Sequence, residues 1–142
     1  MMIDAATEAD LPAVLALLER SGLPTDGAAE HLETMVVARE GGRVVGAAAL
    51  EPYRDGALLR SVVVEREHQG QGLGEALTSA ALNLASVPNV YLLTTTAEKF
   101  FPRFGFEPIS RDDVPASVRE SVEFVSACPS SAVVMRRKAP VW

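Results

Sequence analysis

Glycines at short, regular spacing follow an apolar run in the middle of this chain. The run ends in a polar turn, after which the sequence reads Gln69-Gly70-Gln71-Gly72-Leu73-Gly74-Glu75 and continues as a helix-forming stretch. In such a segment the loop N–H groups and the positive end of the helix converge on one point, which suits an anion. Glycine tolerates positive φ there and leaves room for the ligand. The segment therefore predicts a phosphate site. The alternative explanation of these glycines is a tight turn from strand to helix that binds no ligand.

Three kinds of phosphate loop differ in where their glycines stand. The dinucleotide pattern G-x-G-x-x-G fits at Gly70 and Gly72, but Glu75 occupies the sixth place. A Walker loop ends in Gly-Lys-Ser or Gly-Lys-Thr, and no such tripeptide occurs in this chain. We therefore expect neither a dinucleotide site nor a Walker site. The glycine spacing that is present is Gln69-x-x-Gly72-x-Gly74.

Composition and charge narrow the class of protein. The length of 142 residues suits one domain, 1–142, and the apolar and charged fractions of 48% and 23% are those of an ordinary globular chain. The formal charge of −6 argues against binding to nucleic acids or to anionic membranes. Cys128 is the only cysteine, so we expect no metal site. Neither a secretory segment nor a membrane span is evident, which predicts a cytoplasmic protein.

Hydrophobic periodicity predicts strands that alternate with helices after an early hairpin. A capping box from Thr7 to Asp10 precedes a helix that ends near Gly22, and further helices are expected at 26–32, 75–85, 97–104 and 114–125. Residues 52–56 are predicted to form a loop and residues 136–138 a solvated tail. Strands are predicted at 2–6, 34–39, 44–50, 58–64, 90–95, 106–109 and 132–135. This order indicates an α/β (α+β) fold with a mixed sheet covered by helices on both faces.

The order of elements and two local motifs resemble the GNAT N-acetyltransferases over essentially the whole chain. The glycine loop resembles their Q/R-x-x-G-x-G/A pyrophosphate loop, and Leu92-Leu93-Thr94-Thr95-Thr96-Ala97-Glu98-Lys99-Phe100-Phe101-Pro102-Arg103-Phe104-Gly105-Phe106 resembles the element that follows it. The second segment is similar to the amino-acid N-acetyltransferases, which include the N-acetylglutamate synthases. The branch encoded near arsenic-resistance genes is closer still, in Leu59-Arg60-Ser61 and in Glu123-Phe124, Cys128-Pro129 and Ala132-Val133.

This resemblance implies the GNAT fold, acetyl-CoA as co-substrate, and direct transfer of the acetyl group to the amine of a small molecule. The best expectation for that molecule is an amino acid or an analogue of one. The resemblance also allows a homodimer, because dimers are common in this fold.

Cofactor-binding residues follow from the same resemblance. The backbone of Val62, Val63 and Val64 would pair with the pantetheine amides where the strand splays at a bulge, and Val63 would offer the oxyanion donor. The pyrophosphate would be wrapped by Gln69, Gly70, Gln71, Gly72, Leu73, Gly74 and Glu75. Phe101 stands where many GNAT enzymes have a tyrosine that acts as the general acid. Phe101 would instead line the acyl-CoA channel. Core packing is the alternative for the valines and for Phe101.

Four polar residues are candidates for the chemistry of the acceptor amine. Glu51 ends a strand and could hold the water that takes the amine proton, or be an exposed strand-end carboxylate. Arg60 interrupts an apolar strand, and it could clamp a substrate carboxylate or pair with an acid such as Glu51. Thr94 and Thr95 end a strand at the mouth of the sheet, where α/β folds bind ligands.

Two other functions remain open from the sequence. A non-catalytic acyl-CoA sensor is the alternative suggested by Phe101 in the acid position and by Gln69 where the family often has arginine. A nucleotide-binding domain is a third hypothesis, but Glu75 in the sixth place of the dinucleotide pattern argues against it.

Overall fold

A mixed sheet of seven strands is the framework of the protein in our computed structural model, which describes residues 2–121, 124 and 131–138. Its order is β1-β2-β3-β4-β5-β7-β6, and β4 with β5 is the parallel pair among antiparallel neighbours. The strands are β1 Met2–Ala5, β2 Met35–Glu40, β3 Arg43–Tyr53, β4 Gly56–Val64, β5 Asn89–Thr94, β6 Glu107–Pro108 and β7 Val133–Lys138.

Helices cover both faces of this sheet, as the sequence predicts. Helix α2, Leu73–Leu82, packs on the face that carries Ala48, Leu50 and Leu59. Helix α1, Leu11–Arg20, covers the opposite face through Ala47, Ala49 and Val63, and the short helix α3, Ala116–Arg119, contacts Leu58 on that face. Alternate residues of β3 point to opposite faces, so Glu51 lies on the face of α1 and α3.

A bulge in β4 is the irregularity that matters most for the site. Ala47 pairs with Val63 while Ala49 pairs with Arg60, so β4 has one residue more than β3 across this step. Ser61 lies in the extra space with φ of 59°. The bulge shifts the alternation of β4, and Val63 therefore faces α1 as Arg60 does before it.

Several predicted boundaries are wrong. Residues 52–56 do not form a long loop, because β3 runs to Tyr53 and pairs with Gly56 across a tight turn. The predicted solvated tail at 136–138 belongs to β7, since that strand finds partners in both β5 and β6. The predicted helices at 26–32 and 97–104 reduce to the 3-10 turns Ala28–Thr34 and Phe101–Phe104, and Pro102 lies at the start of the second. The predicted strand at 106–109 is reduced to β6.

The capping box at the first helix is confirmed, since the Thr7 N–H donates to the Asp10 carboxylate at 2.8 Å. The predicted helix at 114–125 is described only as α3, and its end at Val125 lies outside the described residues, as do Glu123, Cys128 and Pro129. Within the described part of the chain, every helix is too short or too polar to cross a membrane.

Candidate active site

The parallel strands β4 and β5 part after a short stretch of pairing. Ala57 pairs with Val90 and Leu58 with Tyr91, and no later pair joins these two fully described strands. Beyond that point Arg60–Val64 runs toward the glycine loop, while β5 continues along its other neighbour, β7. The divergence opens the sheet at the carboxyl ends of two parallel strands, which is where α/β folds place ligands.

A cleft of about 740 Å³ lies between the end of β4, the glycine loop and the turn after β5, and we call it the loop cleft. Gly70 and Gly72 both have φ of 80°, and Gly72 precedes the first residue of α2. The first N–H groups of a helix have no acceptor within it, so those of α2 are available to an anion. The described lining consists of Val62, Val63, Val64, Gln69, Gly70, Gly72, Gly74, Glu75, Thr96, Ala97, Lys99, Phe100, Phe101 and Arg103.

A smaller cavity of about 220 Å³ adjoins the loop cleft, and the lining residues common to both are Val62, Val63, Val64, Gln69, Thr96, Ala97 and Phe101. We call it the inner pocket. It reaches toward the segment after α1 and holds Arg60 as the charged residue of its described lining. The described lining residues beyond the shared ones are Ser21, Leu23, Pro24, Leu59, Arg60, Ser61 and Thr94.

Arg60 and Glu51 form a buried ion pair on the α1 and α3 face of the sheet. Arg60 Nη1 donates to Glu51 Oε2 at 2.6 Å, and neither side chain is exposed to solvent. Tyr53 and Ser121 donate to Glu51 Oε1 at 2.6 and 2.5 Å. The guanidinium also donates from Nε to Ser61 Oγ at 3.1 Å and from Nη2 to the Pro24 carbonyl at 3.3 Å.

These contacts set the protonation of the buried groups. Burial alone raises the pKa of Glu51, but the hydrogen bonds from Ser121, Tyr53 and Arg60 outweigh it and hold that pKa below its ordinary value. Burial, and then the bond to Glu51, raise the pKa of Tyr53 to about 12. Glu51 is therefore an ionised acceptor that is already occupied, and Tyr53 is a poor proton donor at neutral pH.

The predicted cofactor residues gather around the loop cleft, with two exceptions among the side chains. Leu73 is packed into the core with α2, and Gln71 is exposed, so neither lines the cleft. Gln69 lines it, but its amide nitrogen donates to the Val64 carbonyl at 3.1 Å. Phe101 is 7% exposed and lies between the two cavities.

The predicted acceptor residues are less concentrated. Thr94 lines the inner pocket, where its hydroxyl accepts the Ala97 N–H at 2.9 Å, whereas Thr95 is exposed and lines neither cavity. Arg60 lines the inner pocket but is paired with Glu51, which is one of the two alternatives left open by the sequence. Glu51 itself lines neither cavity.

Sequence reasoning missed several lining residues. Arg103 lies over the Phe100 ring at 4.6 Å and pairs with Glu75 at 2.7 Å, which places cationic charge beside the glycine loop. Lys99 adds a second cation to the cleft. The Pro102-Arg103 sequence within the predicted helix at 97–104 was the available signal for Arg103, but nothing local indicates that this segment faces the glycine loop. Ser61 had no local signal, because a bulge depends on the register of two strands.

A group of potential metal ligands lies outside both cavities. Glu65, Glu67 and His68 place ligand atoms within 4.8 Å of one another. Arg43 is bonded to Glu65 and lowers its pKa to about 2, and Glu40 is bonded to His68. These ion pairs account for the arrangement without a metal.

Comparison with known proteins identifies the family. A family model described as an acetyltransferase (GNAT) domain matches residues 31–108, which is more than half of the chain. The chain belongs to the GNAT acetyltransferases. This assignment confirms the predicted resemblance, the fold class and an acetyltransferase domain. The matched range contains β2 to β6 and the residues that line the loop cleft.

Individual relatives of this GNAT domain agree with that assignment. An amino-acid acetyltransferase of Neisseria meningitidis is 26% identical over 93% of the chain, but the chain spans only a third of that protein's length. An N-acetylglutamate synthase from Neisseria gonorrhoeae, solved with coenzyme A and N-acetyl-glutamate, has a TM-score of 0.83 at 22% identity over 99% of this chain and 35% of its own.

Rv2747 from Mycobacterium tuberculosis, solved with CoA, also has a TM-score of 0.83, at 24% identity over 99% of this chain and all of its own. At these identities the two solved structures show the shared fold. Both contain CoA, in agreement with the predicted co-substrate acetyl-CoA.

Proposed function

We propose that this chain is an acetyl-CoA-dependent N-acetyltransferase that acts on the amine of a small molecule, most simply an amino acid or an analogue. The observation that carries the proposal is the pair of adjoining cavities between β4 and β5, one beside a glycine loop and one bordered by the segment after α1. Direct transfer needs two reactants side by side, and such positioning supplies much of the rate of a two-substrate reaction.

The loop cleft fits the phosphates of CoA by the chemistry of its donors. Gly70 and Gly72 offer backbone without side-chain obstruction, since no atom lies within 4 Å of the place of their missing Cβ atoms. The N-terminus of α2 supplies N–H groups, and Lys99 and Arg103 supply local positive charge in an otherwise acidic chain. In this proposal Arg103 supplies the cationic contact to the phosphates that the family often has from an arginine in the place of Gln69.

The divergent end of β4 fits the acyl-bearing arm. Acetyl-CoA supplies an activated thioester, which an uncharged amine attacks. Val62, Val63 and Val64 line both cavities, so their backbone groups can pair with an extended amide chain. We assign the Val63 N–H as the donor to the developing oxyanion, because charge-stabilising donors must lie where the two reactants meet.

Proton transfer needs no buried acid in this proposal. Phe101 cannot donate a proton, and Tyr53 is bonded to Glu51 with a raised pKa. A thiolate is a tolerable leaving group, and the amine proton can pass to water in the open cleft. Glu51 as the base that activates such water stays a prediction, and its three hydrogen-bonded partners favour a supporting role instead.

The inner pocket limits the acceptor. Its volume of about 220 Å³ suits a molecule of amino-acid size, and its described lining is short of the carboxylates that would hold a polyamine or an aminoglycoside. The relatives named above act on or contain amino-acid derivatives, which supports the same class. A cytoplasmic location, a single domain over 1–142 and a homodimer remain predictions.

The first experiment follows free thiol release from acetyl-CoA with a panel of amino acids, amino-acid analogues, polyamines and aminoglycosides. Gly72→Asp places a carboxylate at the N-terminus of α2, and we expect turnover to fall at least tenfold with loss of the thermal shift by acetyl-CoA. Gly42→Asp is the matched control. Gly42 has the same φ of 80° and the same free space, but it lies in the turn between β2 and β3, away from both cavities.

Equal losses in the two variants would mean that backbone strain, rather than the anion site, explains the effect. A second function is favoured by Phe101 in the acid position, namely a non-catalytic acyl-CoA sensor. It predicts a thermal shift with acetyl-CoA that depends on Gly72, without turnover of any amine in the panel.

A further inference from the structure

Ser61 has a backbone conformation that no other described non-glycine residue adopts. Its φ of 59° lies in the left-handed region, where an L-residue with a Cβ is disfavoured. The residue sits at the bulge of β4, is 8% exposed and lines the inner pocket. Strained residues of this kind persist where the surroundings over-determine them, and they concentrate at functional sites.

Arg60 makes the contacts that hold Ser61 in this backbone conformation. Its three nitrogens bond to Ser61 Oγ, to Glu51 and to the Pro24 carbonyl, so one planar guanidinium joins the bulge, strand β3 and the segment after α1. Ser61 and Pro24 both line the inner pocket. The ion pair with Glu51 therefore fixes the shape of that pocket from behind.

The direction of the bond between Arg60 and Ser61 leaves the serine hydrogen unused. Arginine has no acceptor, so Nε–H donates and Ser61 Oγ accepts at 3.1 Å. Among the described residues no hydrogen bond uses the Ser61 O–H as a donor. Accepting a bond from a guanidinium also makes a hydroxyl a stronger donor, because successive hydrogen bonds polarise one another.

The surroundings indicate what this hydroxyl meets. The described lining of the inner pocket contains no aspartate or glutamate, and the Arg60 guanidinium, although paired with Glu51, lies directly behind the Ser61 hydroxyl, so the pocket favours an anionic group over a second cation. Ser61 lines the inner pocket but not the loop cleft, which separates it from the expected place of the thioester.

We infer that the Ser61 hydroxyl donates to the carboxylate of the acceptor amine and so selects acceptors that carry one. Arg60 is a positioning residue that acts through Ser61 rather than a direct clamp on the substrate. This inference rests on the proposed function, since it names the group of the acceptor that the same pocket recognises.

The test compares free amino acids with their α-carboxamides, which keep the amine but lack the charge of the α-carboxylate. The probes are L-glutamate, L-glutamine and L-methionine, each with its α-carboxamide, and the variants are Ser61→Gly and Arg60→Lys. Glycine removes the hydroxyl and accepts the positive φ without strain. For Ser61→Gly we expect KM for the free acids to rise about tenfold or more, as for a lost bond to a charged group.

The same variant should leave KM for the carboxamides and for acetyl-CoA unchanged. Arg60→Lys should lose the same discrimination, because one ammonium cannot reproduce the three-way fork. A Ser61→Gly protein that keeps the wild-type preference for free acids would overturn the inference. So would an equal fall in kcat for acids and carboxamides, which would indicate a role in the chemical step.

Equilibrium binding separates this inference from the proposed function. Calorimetric titration of the CoA-saturated protein with L-glutamine and its α-carboxamide reads the Ser61 contact without turnover. Failure of the wild-type protein to release thiol with any amine would refute the transferase. Selective acid binding that Ser61→Gly abolishes would still support the contact, and equal binding of acid and carboxamide by the wild-type protein would refute it.

Discussion

Substitution of either member of the Glu51–Arg60 ion pair should lower the free energy of unfolding by an amount that can be worked out from the structure. Both side chains are fully buried, and Glu51 accepts bonds from Arg60, Tyr53 and Ser121. Glu51→Leu removes the carboxylate that accepts from Arg60 in this buried site, and breaking a buried ion pair at one partner costs about 3–5 kcal/mol of folding free energy. An unfolding entropy of about 2.1 cal/mol/K per residue gives roughly 0.3 kcal/mol/K for this chain, so Tm should fall by about 10–17 °C.

A double-mutant cycle isolates the electrostatic part of this cost. Arg60→Met alone should destabilise by a similar amount, because it removes the guanidinium that pairs with the buried Glu51 carboxylate. The double variant replaces both charges with apolar groups, and such replacements of buried pairs are often neutral. We expect it to lie within about 2 kcal/mol of the wild type, the remainder reflecting hydroxyls that lose a partner.

Urea unfolding at pH 7, followed by circular dichroism, measures all three variants against the wild type. Glu107→Leu is the matched control, since Glu107 is an exposed strand glutamate and its loss should change stability by no more than about 0.5 kcal/mol. A Glu51→Leu cost below about 1 kcal/mol, or single effects that simply add in the double variant, would refute the reasoning from a buried, mutually compensating pair.

Two further predictions concern ion pairs other than Glu51–Arg60. The hydrogen bond from Arg39 lowers the pKa of Asp10 to about 2 from 3.8, so its contribution is complete above pH 5 and is lost as pH falls toward 2. After allowance for solvent screening, the wild type should lose about 1 kcal/mol more than Asp10→Asn between pH 5 and pH 2.5 in urea unfolding, and equal losses would contradict this. Arg103→Gln leaves the Glu75 carboxylate beside the loop, so the Kd for acetyl-CoA should rise about fivefold at low salt and less at 0.5 M salt. Arg54→Gln, in the turn after β3, is the control with unchanged Kd, and a salt-independent effect would count against the charge argument.

Local motifs were predictable because their contacts lie close in sequence. The glycine loop is a strand, a turn and a helix in direct succession, so residue types alone predict the positive φ angles of Gly70 and Gly72 and the place of the proposed anion site. The capping box at Thr7 follows from a spacing of three residues. Periodicity likewise located the strands, although it missed how far β3 and β7 extend, because their length depends on the partners beside them.

Long-range contacts decided the rest of the site. Glu51 and Ser121 are separated by 70 residues, and Glu75 and Arg103 by 28, so no local pattern joins them. The Thr94–Thr96 triplet also looked uniform in sequence, yet the chain direction at the end of β5 buries Thr94 and exposes Thr95.

The sequence by itself determined the family, the glycine loop and the class of co-substrate, because these depend on residue types at short spacing. Only the tertiary structure decided that β4 bulges at Ser61, that β4 and β5 diverge, and that Arg60, which lines the inner pocket, is paired with Glu51. The physical reason is that register between strands, and the pairing of buried charges, are properties of distant segments brought together. A buried guanidinium must find its counterion somewhere, but which carboxylate it finds is fixed by packing.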